Sequence, residues 1–115
     1  MIQIKKHQMA AFERLAALDF EARTARRLRE HFHAALASVS EDELRRLIRL
    51  GIERAAAYDI RSDYNVSLYI GAMVHLGRDF DRDGNCPFST EILRNAYVDA
   101  TTKMAYIYAC TSGEG

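Results

Sequence analysis

Hydrophobic side chains recur every three or four residues through most of the chain, and this spacing predicts helices rather than strands. The first stretch, from about Lys5 to Leu36, carries Phe12, Leu15, Leu18, Ala22, Ala25, Leu28, Phe32 and Leu36 along one line. Ala16 and Phe20 lie off that line and widen the face. The stretch reads as one long helix or as two helices kinked near Asp19. A second helix opens at Ser40-Glu41-Asp42-Glu43, where Ser40 and Glu43 have the spacing of a capping box. Its inner face is Leu44, Leu47, Ile48, Gly51, Ile52 and Ala55. Gly51 weakens a helix interior, which points to a neighbouring helix crossing closely there.

Ser62 or Asp63 starts a third helix, with Val66, Tyr69, Ile70, Met73, Val74, Gly77 and Phe80 on its main face. Leu68, Ala72 and Leu76 lie off that face, so this is the most apolar segment and the expected centre of the fold. A loop follows from Arg78 through Pro87. The last helical region begins near Ser89-Thr90-Glu91, continues through Ile92, Leu93, Ala96, Ala100, Met104 and Ile107, and has a potential break near Asn95. The expected architecture is all-α, a compact bundle of four to five helices. One domain over 1–111 and a flexible tail over 112–115 complete the organisation.

Composition changes this picture little. With 115 residues, one proline and six glycines, the chain has few helix breakers and enough length for one cored domain. Lys+Arg 16 balance Asp+Glu 16, which argues against a general nucleic-acid or membrane-surface role. No apolar run approaches a membrane span, and Lys5 and Lys6 precede no signal-like apolar region. A cytoplasmic location is therefore expected, with Cys86 and Cys110 as free thiols. A disulfide between them is expected only if the chain is exported by a non-standard route.

The sharpest local motif is Asp79-Phe80-Asp81-Arg82-Asp83-Gly84-Asn85. Carboxylates at alternate positions before a glycine open a calcium loop of the EF-hand type, with Asp79, Asp81, Asp83 and Asn85 as candidate ligands. The twelfth position is Thr90, however, where the bidentate glutamate belongs, and Glu91 comes one residue late. The other reading is a polar inter-helix loop. His31 and His33 point apart on a helix, and no zinc spacing is present. His75 with Asp79 is the only pairing that suggests an enzyme, and no wider constellation supports it, so no catalytic residues and no cofactor are assigned. Arg23, Arg26 and Arg27 form a basic patch, and Tyr97, Tyr106 and Tyr108 are candidate recognition residues; together they are the expected partner-binding set. Salt-bridged solvated faces are the plainer account of the arginines, including Arg45 and Arg49.

Several phrases in order, Phe12-Glu13-Arg14, Leu28-Arg29-Glu30-His31-Phe32, Leu47 through Ala55, Tyr69-Ile70-Gly71-Ala72-Met73 and Leu76 through Asp81, give the chain a family likeness. Over about residues 1–95 it resembles small helical proteins encoded beside type VI secretion genes in Gram-negative bacteria. The resemblance implies an accessory role: an adaptor, chaperone or immunity-type partner for a secreted effector or spike component. It carries over no catalytic residues, and it favours a structural acidic loop over a calcium site. The expected function is thus a non-catalytic protein-interaction module, with a calcium-binding helical module as the alternative.

Overall fold

A computed structural model of the chain describes residues 6–82, 86 and 88–111. Five helices follow one another: α1 (Lys6–His31), α2 (Glu41–Ala57), α3 (Asp63–Leu76), α4 (Ser89–Arg94) and α5 (Ala100–Thr111). The described residues contain no strand, and the fold is an all-α bundle. The expected tail over 112–115 lies outside the described residues.

The helix starts follow from local chemistry. Ser40 accepts the Glu43 amide at 3.1 Å, and Ser62 accepts the Asn65 amide at 3.2 Å. Each side-chain oxygen satisfies an amide that has no partner inside its helix. α2 ends in a Schellman turn: Ile60 N donates to Ala55 O at 2.8 Å, and Asp59 N to Ala56 O at 3.0 Å. Asp59 takes the left-handed conformation there, at φ 62°. The buried side chain of Ile60 anchors the turn in the core.

α3 is the central element, as its composition predicts. It packs against α1, α2 and α5, and Val66, Tyr69, Ile70, Gly71, Ala72 and Met73 are all buried. The α2–α3 crossing is close at Gly51. A Cβ added there would stand 2.5 Å from Ile70 Cγ1 and 3.1 Å from Met73 Sδ. The last helical region does break at Asn95, which separates α4 from α5.

The first helix departs from expectation in two ways. It runs unbroken through Asp19 but ends at His31, because Arg29 folds the chain back. Its guanidinium donates to Leu36 O at 3.1 Å and to Val39 O at 2.9 Å. Furthermore, only the second half of the apolar line packs. Ala25, Leu28 and Leu36 are buried, whereas Phe12, Leu15 and Leu18 are 60%, 63% and 54% exposed. The first half of α1 extends past the other helices, and periodicity marks a face without saying whether anything covers it. The projection shows in the dimensions, 54 × 38 × 18 Å, and in a radius of gyration of 15.6 Å against about 13 Å for a closely packed domain of this size.

Two polar links hold the packed half. Glu21, itself buried, accepts from Arg45 at 3.2 Å and from Arg49 at 3.0 Å, joining α1 to α2. Arg45 and Arg49 therefore clamp a buried carboxylate and are more than a solvated face. Cys86 and Cys110 are not free thiols: they form a disulfide, with Cα atoms 5.7 Å apart, that ties the segment before α4 to the end of α5. The free-thiol expectation rests on a cytoplasmic location; the fold brings the two cysteines, 24 residues apart, within bonding reach.

Candidate binding groove

A concave feature that holds two of the expected partner-binding residues, Arg27 and Tyr108, lies between α1, α3 and α5. It has a volume of about 350 Å³. Leu28, Phe32, Leu68 and the Tyr108 ring form an apolar floor, with Arg27, His31 and Tyr64 around it. Gly71 makes the floor possible. A Cβ on it would meet the Tyr108 hydroxyl at 2.7 Å and Phe32 Cε2 at 3.8 Å. The Tyr108 hydroxyl donates to Leu68 O at 3.0 Å, which fixes the ring across the groove. Burial, with Tyr64 nearby, raises the pKa of that hydroxyl. His31 meets Phe32 edge-on, with ring centroids 4.7 Å apart.

The wall also contains the hydroxyls of Thr24 and Ser67, both buried without a hydrogen-bond partner. An unpaired buried hydroxyl is costly, so this seam holds bonding capacity that the fold itself leaves unused. An apolar floor with a few polar groups at its edge is the usual character of a binding groove.

The expected partner-binding residues are only partly brought together. Arg27 and Tyr108 share this groove. Arg23 lies one turn before Arg27 but is engaged by Asp19 at 2.8 Å and Asp63 at 3.8 Å. Arg26 points to a different cavity, beside Arg29, Glu30 and His33. Tyr106 packs half-buried against the core, because two residues along a helix turn a side chain to another face. Tyr97 is fully exposed in the turn between α4 and α5, where it lines a cavity with Arg94 and Lys103. The three tyrosines therefore do not form one recognition surface. Tyr64, at 72% exposure, is the groove residue that sequence reasoning passed over. The signal was the second apolar line on the third helix: Tyr64, Leu68 and Gly71 at intervals of four and three.

The acidic loop has a structural place. Asp81 is fully buried and accepts from the Tyr58 hydroxyl at 2.5 Å, with Arg82 at 3.5 Å. Asp79 faces Arg54 at 2.8 Å, and the Arg54 guanidinium also donates to Arg78 O at 2.7 Å. Ser89 donates to Phe80 O at 3.2 Å, and Thr90 to Asp81 O, so the start of α4 is bound to the same loop. Asp79 and Asp81 thus serve different protein partners, whereas a calcium site needs them to converge. Asp83 and Asn85 lie outside the described residues. Among the described residues, no group of three His, Cys, Asp or Glu side chains is placed to hold a metal. His75 is exposed, with its ring 6.4 Å from Phe32, while Asp79 is committed to Arg54.

Lys103, only 3% exposed, was also missed. It donates to Tyr58 O at 2.8 Å and so caps the carbonyl end of α2 from α5. Its place on the apolar line Ala100, Met104, Ile107 was the available signal.

Comparison of the chain with protein-family models, with curated proteins and with solved structures gives no match. No helix among the described residues is long and apolar enough to cross a membrane.

Proposed function

We propose that the chain is a non-catalytic protein-interaction module whose groove between α1, α3 and α5 takes an apolar segment of a partner protein. The carrying observation is the groove itself, with Leu28, Phe32, Leu68 and Tyr108 beneath a rim that holds Arg27 and Tyr64. Interfaces that recognise peptides and helices combine an apolar centre with aromatic and arginine residues at the edge. The segment that fits presents one apolar anchor to the floor and a carboxylate to Arg27. The resemblance to proteins encoded beside type VI secretion genes supports the accessory part of the reading: an adaptor, chaperone or immunity-type partner of a secreted effector or spike component.

The test is co-expression with the products of the neighbouring genes, followed by size-exclusion chromatography. Co-migration is expected for the wild-type chain. Arg27→Glu and Tyr64→Ala, both at exposed positions, are each expected to weaken it about tenfold or more. Unchanged binding by both variants overturns the groove assignment. A wild-type chain that never co-migrates overturns the accessory reading.

A further inference from the structure

The outer half of α1 carries an apolar line whose two leucines none of the described residues buries. Ala11, Leu15, Leu18 and Ala22 are spaced four, three and four residues apart, the interval of a coiled-coil seam. Leu15 and Leu18 are more than half exposed, and Phe12 beside them is 60% exposed. A helical stretch this short, with no tertiary support, is marginal in water. Its large apolar residues therefore call for a partner surface.

The order of the seam identifies that partner. Small, large, large, small reads the same in both directions about the midpoint between Ala16 and Ala17. A two-fold interface requires this self-complementarity, since any residue i that meets j must also have j meeting i. Antiparallel pairing about the midpoint sets Leu15 against Leu18 of the second copy, twice, and Ala11 against Ala22 at both ends. The alanines let the helices close at the ends of the seam while the leucines fill its centre. An anionic membrane surface finds no net positive charge on this helix, because Lys6, Arg14 and Arg23 are balanced by Glu13, Asp19 and Glu21 over residues 6–23.

We propose that the chain forms a two-fold homodimer in which the outer halves of α1 pair antiparallel along the Ala11, Leu15, Leu18, Ala22 seam. The paired stretch is about 18 Å long. That is small for a permanent dimer, so dissociation falls in the micromolar range. The surface is separate from the groove between α1, α3 and α5, and both can be occupied together.

Sedimentation of the full chain at about 100 µM is expected to show a dimer. The double variant Leu15→Glu/Leu18→Glu changes only exposed positions, so the packed helices stay folded and most of the helical circular dichroism is retained while the outer turns of α1 fray. Its dimer dissociation constant is expected to rise by ~100-fold or more, because unpaired carboxylates then occupy the seam. Direction is read from cysteines: Ala11→Cys/Ala22→Cys is expected to oxidise to a covalent dimer. Either single variant is not, because equivalent positions in the antiparallel pair are about 16 Å apart. Arg27→Glu is expected to dimerise like wild type, so failure of the groove reading and failure of this one are distinguishable. A monomeric wild-type chain, a dimer that survives Leu15→Glu/Leu18→Glu, or covalent dimers from the single cysteine variants each overturn the proposal.

Discussion

The Tyr58 hydroxyl and the Asp81 carboxylate meet at 2.5 Å, joining the last turn of α2 to the loop after α3. Asp81 is fully buried, and its second oxygen has no partner, so this bond, together with Arg82 at 3.5 Å from the same oxygen, is what makes the carboxylate tolerable in the core. Tyr58→Phe removes it and leaves the acid buried. A loss of about 2 kcal/mol in unfolding free energy is expected, measured by urea denaturation. Asp81→Asn, which can still accept a hydrogen bond, is expected to cost less than Tyr58→Phe.

Alkaline pH acts on the same region. Burial foremost, and then the neighbouring Asp81, raises the pKa of Tyr58; burial likewise raises Tyr69 and Tyr108. The folded state therefore holds these phenolic protons more tightly than the unfolded chain does. Their contribution to stability is complete below about pH 10 and is lost as pH rises through the folded-state values. Melting temperatures measured from pH 8 upward are expected to hold and then fall above about pH 10. In absorbance, ionisation of these three tyrosines is expected to coincide with unfolding.

Gly51→Ala tests the α2–α3 crossing. Alanine is the better helix former by about 1 kcal/mol, but its methyl would meet Ile70 Cγ1 at 2.5 Å. Overpacking at such a contact costs about 1–3 kcal/mol, so the net effect is expected to be destabilising. A stabilised variant in urea unfolding would show that α3 yields at this point.

The Cys86–Cys110 bridge closes a loop of 24 residues. Loop-closure entropy gives such a cross-link about 3 kcal/mol, so Cys110→Ser and reducing agent are each expected to lower the melting temperature. Mass spectrometry after alkylation under non-reducing conditions reads the pairing directly.

Calcium is expected to leave the melting temperature unchanged at millimolar concentration. Asp81 is committed to Tyr58 and Asp79 to Arg54, so binding would have to break both links. A rise in melting temperature with calcium would mean that the loop rearranges to bind the ion.

Much of the architecture is written in local patterns. Ser40 and Ser62 mark helix starts by their own hydrogen-bonding chemistry, and Gly51 marks a crossing because nothing larger fits. The break at Asn95 and the central place of α3 are equally local. What was not legible depends on distant residues meeting. Glu21 reads as one more surface acid until α2 brings Arg45 and Arg49 to it. Asp81 reads as one of a row of loop carboxylates, and only the fold shows that Tyr58 reaches it from 23 residues away. The groove was half legible: Arg27 and Tyr108 were singled out, but only folding shows that they share a surface while Arg26 and Tyr97 face elsewhere.

Because α1 is continuous from Lys6 to His31, one helix carries both the exposed leucines and the groove wall. Arg45 and Arg49 hold it at Glu21, between Leu15 and Leu28, so loss of that clamp would cost both surfaces their seat on the bundle at once.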